Sequence, residues 1–135
     1  MAKKGKWRQP STDVEEVLSE HRNWLHSGEG RQADFTNQDL QQTSFAGRDL
    51  RQAIFRGANL QVANFQEACL QEADFRGANL RKAEFGGADL QEAELSQANL
   101  QNVDLTAVRN LSWSNLAGAD LTGKVVLKSQ TFFPV

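Results

Sequence analysis

From position 35 to position 105 the chain places Phe or Leu at every fifth residue without a gap, six Phe and nine Leu in all. Ala stands two residues before eleven of these fifteen centres; Gln38, Thr43, Arg48 and Val103 are the exceptions. Polar residues fill most other places. A period of five is not helical, although Ala, Leu, Gln, Glu and Arg individually favour helices. At ~100° per residue, five steps leave ~140°, so the apolar residues would scatter around a helix. Extended backbone suits three residues at a time: Ala73 and Phe75 share one face while Asp74 points the other way. Alternation must then break at Arg76–Gly77, before Ala78. Each unit therefore reads as a very short strand followed by a corner, and Gly accepts the positive φ that tight turns need.

The centres alternate strictly between Phe and Leu from Phe35 to Phe85. If like residues stack on like, a coil contains an even number of units. Two units enclose almost nothing, and four make a square of 20 residues, with two opposite Phe ladders and two Leu ladders. Ala is small by necessity, because four of them meet near the axis. After Leu105 the register slips by one residue and resumes at Leu111, Leu116, Leu121 and Val126. The slip predicts a bulged corner over 106–110. Trp113, in an outward corner slot, is expected to cover it, with partner binding as the alternative role.

The units "ADFRG", "ANLRK", "ADLQE" and "ANLQN" follow the signature A(D/N)LXX, and the chain from Ala33 to Val126 resembles the pentapeptide repeat family. The resemblance implies an all-β solenoid, a right-handed quadrilateral β-helix of about five coils and roughly 24 Å long at ~4.8 Å per coil. It also implies that the outward Asp or Asn of each unit bonds nearby backbone. The expected organisation is a basic flexible tail over 1–10, a short N-terminal capping α-helix over 11–30, the pentapeptide-repeat β-helix over 31–127 and a C-terminal tail or cap over 128–135.

A solenoid's end coil leaves backbone and core open to further stacking, so caps are required. Thr12 reads as N-cap with Glu15 three residues on, and Gly28 reads as the stop. Val14, Val17, Leu18, His21 and Leu25 form one stripe of that helix, expected to lie over the first coil. Gln38 and Arg48 fall in inward slots of this end coil, where they can lean out to meet the helix or solvent. At the other end, Phe132 and Phe133 either fold over the last coil or precede a longer native chain.

Charge and chemistry narrow the function. The net charge is −2, but the first ten residues carry +4 while residues 33–126 carry eight basic and twelve acidic side chains. One cysteine, Cys69, cannot form an internal disulfide, and "MAKKGKWRQP" has no apolar stretch behind it. No run approaches the roughly 18 apolar residues of a membrane span. These features predict a cytoplasmic protein with neither signal peptide nor membrane span, which the family resemblance implies is bacterial; "NLS" at 110–112 is then a chance glycosylation match. His21 and His26 lie five apart and diverge by ~140° on a helix, against the i, i+4 pairing of zinc sites. "GEGRQA" at 28–33 has dinucleotide-site spacing but follows a helix instead of a strand. Cys69 has no candidate base in the rod, and the acids lie on outer walls without a desolvated pocket. No catalytic residue, cofactor or metal is expected.

What remains is surface. Stacking in twenties places Arg56 and Arg76 on one corner ridge, with Arg81 and Lys82 on the next; Glu67, Glu72, Glu84, Asp89 and Glu92 collect on the other side. Arg56, Arg76, Arg81 and Lys82 are the candidate partner-binding surface. The predicted function is a non-enzymatic protein-binding or scaffold module, a monomer or weak end-to-end dimer, whose unknown macromolecular partner is a protein, with no direct nucleic-acid binding. The alternative, which the family resemblance brings, is a DNA mimic that protects DNA gyrase against quinolones. A body of only −4 with arginines among its acids speaks against that alternative.

Overall fold

A computed structural model describes residues 6–123 of the chain. Every fifth residue turns inward because nearly every unit ends in the same corner; the corner at 105–108, where Ala107 is not left-handed, is the exception. In Leu50–Arg51–Gln52–Ala53, the Ala53 N–H bonds the Leu50 carbonyl at 3.0 Å, and Gln52 has φ 62°. Gln52 is thus the third residue of a type II turn, which requires left-handed backbone there. Gly takes this place at Gly47, Gly57, Gly77 and Gly87, but Glu67, Glu72, Lys82 and even the β-branched Val62 (φ 59°) adopt it too. Holding a side-chain-bearing residue there costs roughly 1–2 kcal/mol. The next coil supplies the restraint: the Gln52 N–H bonds the Gln71 carbonyl at 2.9 Å, and the Phe55 N–H bonds the Asp74 carbonyl at 2.7 Å.

Parallel bridges join residues twenty apart, as in Asp34–Ile54–Asp74–Glu94 and Asp39–Asn59–Asn79–Asn99. Four five-residue units therefore make one coil, and the middle residues of the units line four walls. We name each wall by one member: the Asp74 wall, the Asn79 wall, the Asn64 wall (Ser44, Asn64, Glu84) and the Asp89 wall (Asp49, Cys69, Asp89). Inside, every Phe and Leu centre from Phe35 to Leu105 is buried. Phe35, Phe55 and Phe75 stack at 5.1 and 5.0 Å between centroids, and Phe45, Phe65 and Phe85 at 5.2 Å. The two ladders meet edge to face, Phe55 and Phe65 at 5.6 Å and 84°, the arrangement that ring quadrupoles favour.

Beyond Leu105 the pairing interval becomes twenty-one: Asp89 with Asn110, Glu94 with Asn115, Asn99 with Asp120. The Arg109 N–H bonds the Ala88 carbonyl at 2.8 Å, and the Asn110 carbonyl accepts from the Leu90 N–H at 2.7 Å. Two residues thus oppose Asp89, which defines a β-bulge with Arg109 as the extra residue. Trp113 does not cover it. At φ 63° it is the left-handed residue of the next corner, which points its side chain off the rod, and it is 67% exposed.

Helix α1 spans Thr12–Ser27. Its N-cap is Ser11, not Thr12: Ser11 is extended (φ −64°, ψ 166°) and its Oγ accepts from the Val14 N–H at 3.3 Å, which leaves Thr12 inside the first turn. Gly28 closes the helix as expected, at φ 77° with its N–H on the Trp24 carbonyl. Gly30 threads the passage to the rod; a Cβ there would lie 2.4 Å from the Glu20 carbonyl oxygen. Val14 and Leu18 join the core, with Val17 packed partly against it and Leu25 half-buried. Gln38 is exposed, while Arg48 leans out to the helix and meets Glu15 at 2.7 Å.

Residues 6–10, assigned from sequence to a flexible tail, lie against the rod. Arg8 forms a parallel bridge with Thr43, its N–H on the Gln42 carbonyl and its carbonyl accepting from the Ser44 N–H. Trp7 Nε1 donates to the Val62 carbonyl at 2.9 Å, and Lys6 meets Glu84 at 2.6 Å. Val126 and the segment 128–135, including Phe132 and Phe133, lie outside the described residues.

Ala78 is 1% exposed between coils, so Ala78→Arg should unfold the rod or leave it molten, at several kcal/mol. Arg48→Ala, in the equivalent slot of the end coil, removes a half-exposed ion pair and should cost less than ~1.5 kcal/mol. Thermal denaturation of the two variants checks this, and equal shifts would contradict it.

Candidate functional site

The walls are built on one local motif. The middle side chain of a unit accepts the backbone N–H two residues on: Thr36 to Asp34 at 3.0 Å, Gln66 to Asn64 at 2.9 Å, Gln91 to Asp89 at 3.0 Å and Gln101 to Asn99 at 3.0 Å. These Asx turns explain why Asp or Asn recurs there. The same oxygen, if it belongs to Asp, also captures an Arg two residues on. Arg51 grips Asp49 at 2.8 and 2.7 Å, and Arg76 grips Asp74 at 3.0 and 2.8 Å, both bidentate. Ile54 and Cys69 stand outward in this slot, each half-buried, and cannot form the motif.

This motif divides the four candidate cations. Arg56 has Ile54 in its own slot, so its Nε reaches Asp74 in the next coil. Arg56 and Arg76 therefore share one carboxylate and turn toward the Asp74 wall. Burial raises the Asp74 pKa, but the side-chain bonds from Arg76 and Arg56 outweigh it and bring it to about 2. The ridge is therefore less positive than the sequence suggests. Arg81 has the neutral Asn79 in its slot, which takes only its backbone N–H, at 3.2 Å. Among the described residues, Arg81 and Lys82 are exposed and have no ion-pair partner.

Arg81 and Lys82 border the Asn79 wall, where Asn59, Asn79 and Asn99 form a run of amides with acids only at Asp39 and Asp120. On the other side of Lys82, a shallow groove is lined by Lys6, Gln66, Lys82, Glu84 and Asn102. Lys6 enters it because Trp7 and Arg8 strap the chain along the rod, and its Nζ also lies 4.7 Å over the Trp7 ring. Sequence reasoning missed this strap. The only signal was an aromatic residue set inside a basic run. The acids Glu67, Glu72, Asp89 and Glu92 lie on or beside the Asp89 wall, where Asp89 also meets the bulged Arg109 at 3.7 Å. Among the described residues, no group of three His, Cys, Asp or Glu could hold a metal ion, and no helix is long and apolar enough to cross a membrane.

The Asp74 clamp carries a pH signature. Its folded pKa near 2 lies below the ordinary 3.8, so its stabilisation is full above 3.8 and is lost as pH falls through about 2. Discounted for half-exposed arginines, Asp74→Asn should cost about 1 kcal/mol at neutral pH. Denaturation of both proteins across pH 2–7 should show the difference shrinking toward the acid end.

Comparison with known proteins supports this architecture. Pentapeptide repeats match in eight copies, over overlapping segments from residue 31 to residue 123. A pentapeptide repeat protein of the cyanobacterium Cyanothece is 35% identical with a TM-score of 0.67; the alignment covers 70% of this chain and 64% of that one. Another, from the Arabidopsis thaliana thylakoid lumen, is 33% identical with a TM-score of 0.52, covering 73% of this chain and 71% of that one. A plasmid-mediated fluoroquinolone resistance protein is 20% identical with a TM-score of 0.34, covering 71% and 78%. The chain thus spans less than two thirds of the Cyanothece protein's length. No match was found among curated proteins. With tandem repeats across residues 31–123 and pairing at intervals of twenty, the chain belongs to the pentapeptide repeat family, whose fold is a right-handed β-helix.

Proposed function

We propose that this protein is a non-enzymatic docking module that binds a protein partner through the walls of its β-helix. The observation that carries this reading is the Asn79 wall, an amide surface bordered by two cations that, among the described residues, no carboxylate engages. Arg81 and Lys82 are the charges available to an incoming carboxylate, while Arg56 and Arg76, bound to Asp74, form the firm opposite edge. Hydrogen-bonding amides with flanking charge suit a polar, partly wet protein interface. Helix α1 acts as the cap of the open first coil, which keeps the module monomeric, and the cytoplasm remains the compartment in which we place it. A DNA mimic would need a continuous negative wall for cationic side chains spaced for phosphates. Here the Asn79 wall is uncharged from Asn59 to Asn99 and bordered by Arg81 and Lys82, and the likeness to the resistance protein is too slight to favour the mimic.

Affinity capture with the purified rod, compared across variants, tests the surface. Replacing Arg56, Arg76, Arg81 and Lys82 by Gln should abolish capture of a partner that survives replacement of Glu67, Glu72, Glu84 and Glu92 by Gln. Within the first set, Arg81 and Lys82 should account for most of the loss. The reverse order, or strong protection of gyrase from quinolone in a supercoiling assay, would restore the mimic.

Deleting residues 1–30 removes both α1 and the strap that pairs with Thr43, and leaves an open coil edge. Sedimentation should show oligomers or precipitate; a truncated protein that stays monomeric at high concentration would contradict the capping role.

A further inference from the structure

Among the groups that fasten the cover over the first coil is one buried imidazole. His21 is fully buried, although its pattern position marks it only as one member of an apolar stripe. Its Nδ1 accepts the N–H of Ala33, the first inward Ala of the rod, at 2.9 Å. A backbone N–H can only donate, so Nδ1 carries no proton. The ring proton is therefore on Nε2, which donates to the Arg51 carbonyl at 2.9 Å. One neutral tautomer satisfies both bonds. An imidazolium has two donors and would set Nδ1–H against the Ala33 N–H.

The surroundings offer the cation little. Trp24 stacks on the ring at 5.5 Å from within α1. The charged groups facing it from the rod are Asp49 and Arg51, and Arg51 already holds both oxygens of Asp49. On α1, exposed His26 lies 4.0 Å from the same Asp49, and Glu15 is taken by Arg48. Burial lowers the His21 pKa below 6.5, against weaker opposing effects of the Arg51 carbonyl and Asp49.

We propose that His21 is an acid-released latch, whose protonation detaches α1 and bares the edge of the first coil. The closed form holds the imidazole neutral, whereas the opened form exposes one that titrates near the ordinary value. Closure is therefore fully supported above about pH 6.5 and weakens as pH falls through the window below it. With no proton taken up in the closed form, the opening equilibrium at about pH 5 is about thirtyfold larger than at about pH 7.5.

Amide hydrogen exchange followed by NMR on the full chain tests this. Corrected for intrinsic exchange rates, the protection of the Ala33 amide should fall about ten- to thirtyfold from about pH 7.5 to about pH 5. Ala63 and Ala73, in the middle of the rod, should keep theirs. The His21 ring signal should titrate below 6.5. His21→Gln keeps an acceptor and a donor without a titrating group, so its Ala33 protection should be independent of pH, whatever its absolute level. His26→Gln should behave as the unmodified protein. Unchanged Ala33 protection at about pH 5, a His21 midpoint at or above 6.5, or the same acid loss in His21→Gln would overturn the latch.

Discussion

Hydrogen bonds between successive coils, which pair residues twenty apart, are the constraint on which the other features rest. They hold each corner in a left-handed conformation that Glu67, Lys82 and Val62 would not adopt alone. A corner so fixed allows only three extended residues per side, which sends two side chains inward and one outward. The inward pair explains the Ala and the Phe or Leu of each unit; the outward residue closes the corner with its own oxygen. A helix-favouring composition is thus overruled by a ladder that no single unit can form, since each needs the coil above and below it.

The same repetition governs chemistry on the walls. An Arg two places beyond an Asp is captured by it, as at Asp49–Arg51 and Asp74–Arg76. An Arg two places beyond Asn or Ile is left to look elsewhere. Arg56 finds Asp74 in the next coil, and Arg81 finds no carboxylate within ion-pair reach among the described residues. A single outward residue per unit therefore decides which cations the rod itself engages and which, among the described residues, it leaves without an ion-pair partner. Across the pentapeptide array the wall composition varies while the backbone pairing and the apolar core repeat.

Departures from the repeat collect toward the ends. At the N-terminal end, α1 and the strap satisfy edge groups that the first coil exposes: Arg8 bonds Ser44, and His21 bonds Ala33 and Arg51. Toward the other end, the bulge at Arg109 absorbs one extra residue and restores the register within the same unit. The irregularity spans the corner, where the Ala107 carbonyl accepts from the Gly87 N–H, and the wall at Arg109, yet the Leu105 and Leu111 centres on either side both remain buried.

The sequence by itself determined the coil of twenty residues, the inward set, the Phe ladders, the position of the slip and the presence of a helix ahead of the first coil. Each follows from periodicity, which is a property of the chain in one dimension. It also identified Arg56, Arg76, Arg81 and Lys82 as neighbours, but not which of them are free, because that depends on where a flexible guanidinium turns when Ile54 denies it a local partner. The N-cap moved by one residue to Ser11, since several hydroxyls could serve and only the entry angle of the chain chooses among them. Trp113 was expected to cover the bulge and instead faces away, because the handedness of its corner directs the side chain. The docking of Lys6, Trp7 and Arg8 along the rod, and the two bonds of His21, were decided by tertiary structure alone. They join residues that share no repeat, and only the folded edge presents the carbonyls and N–H groups they meet.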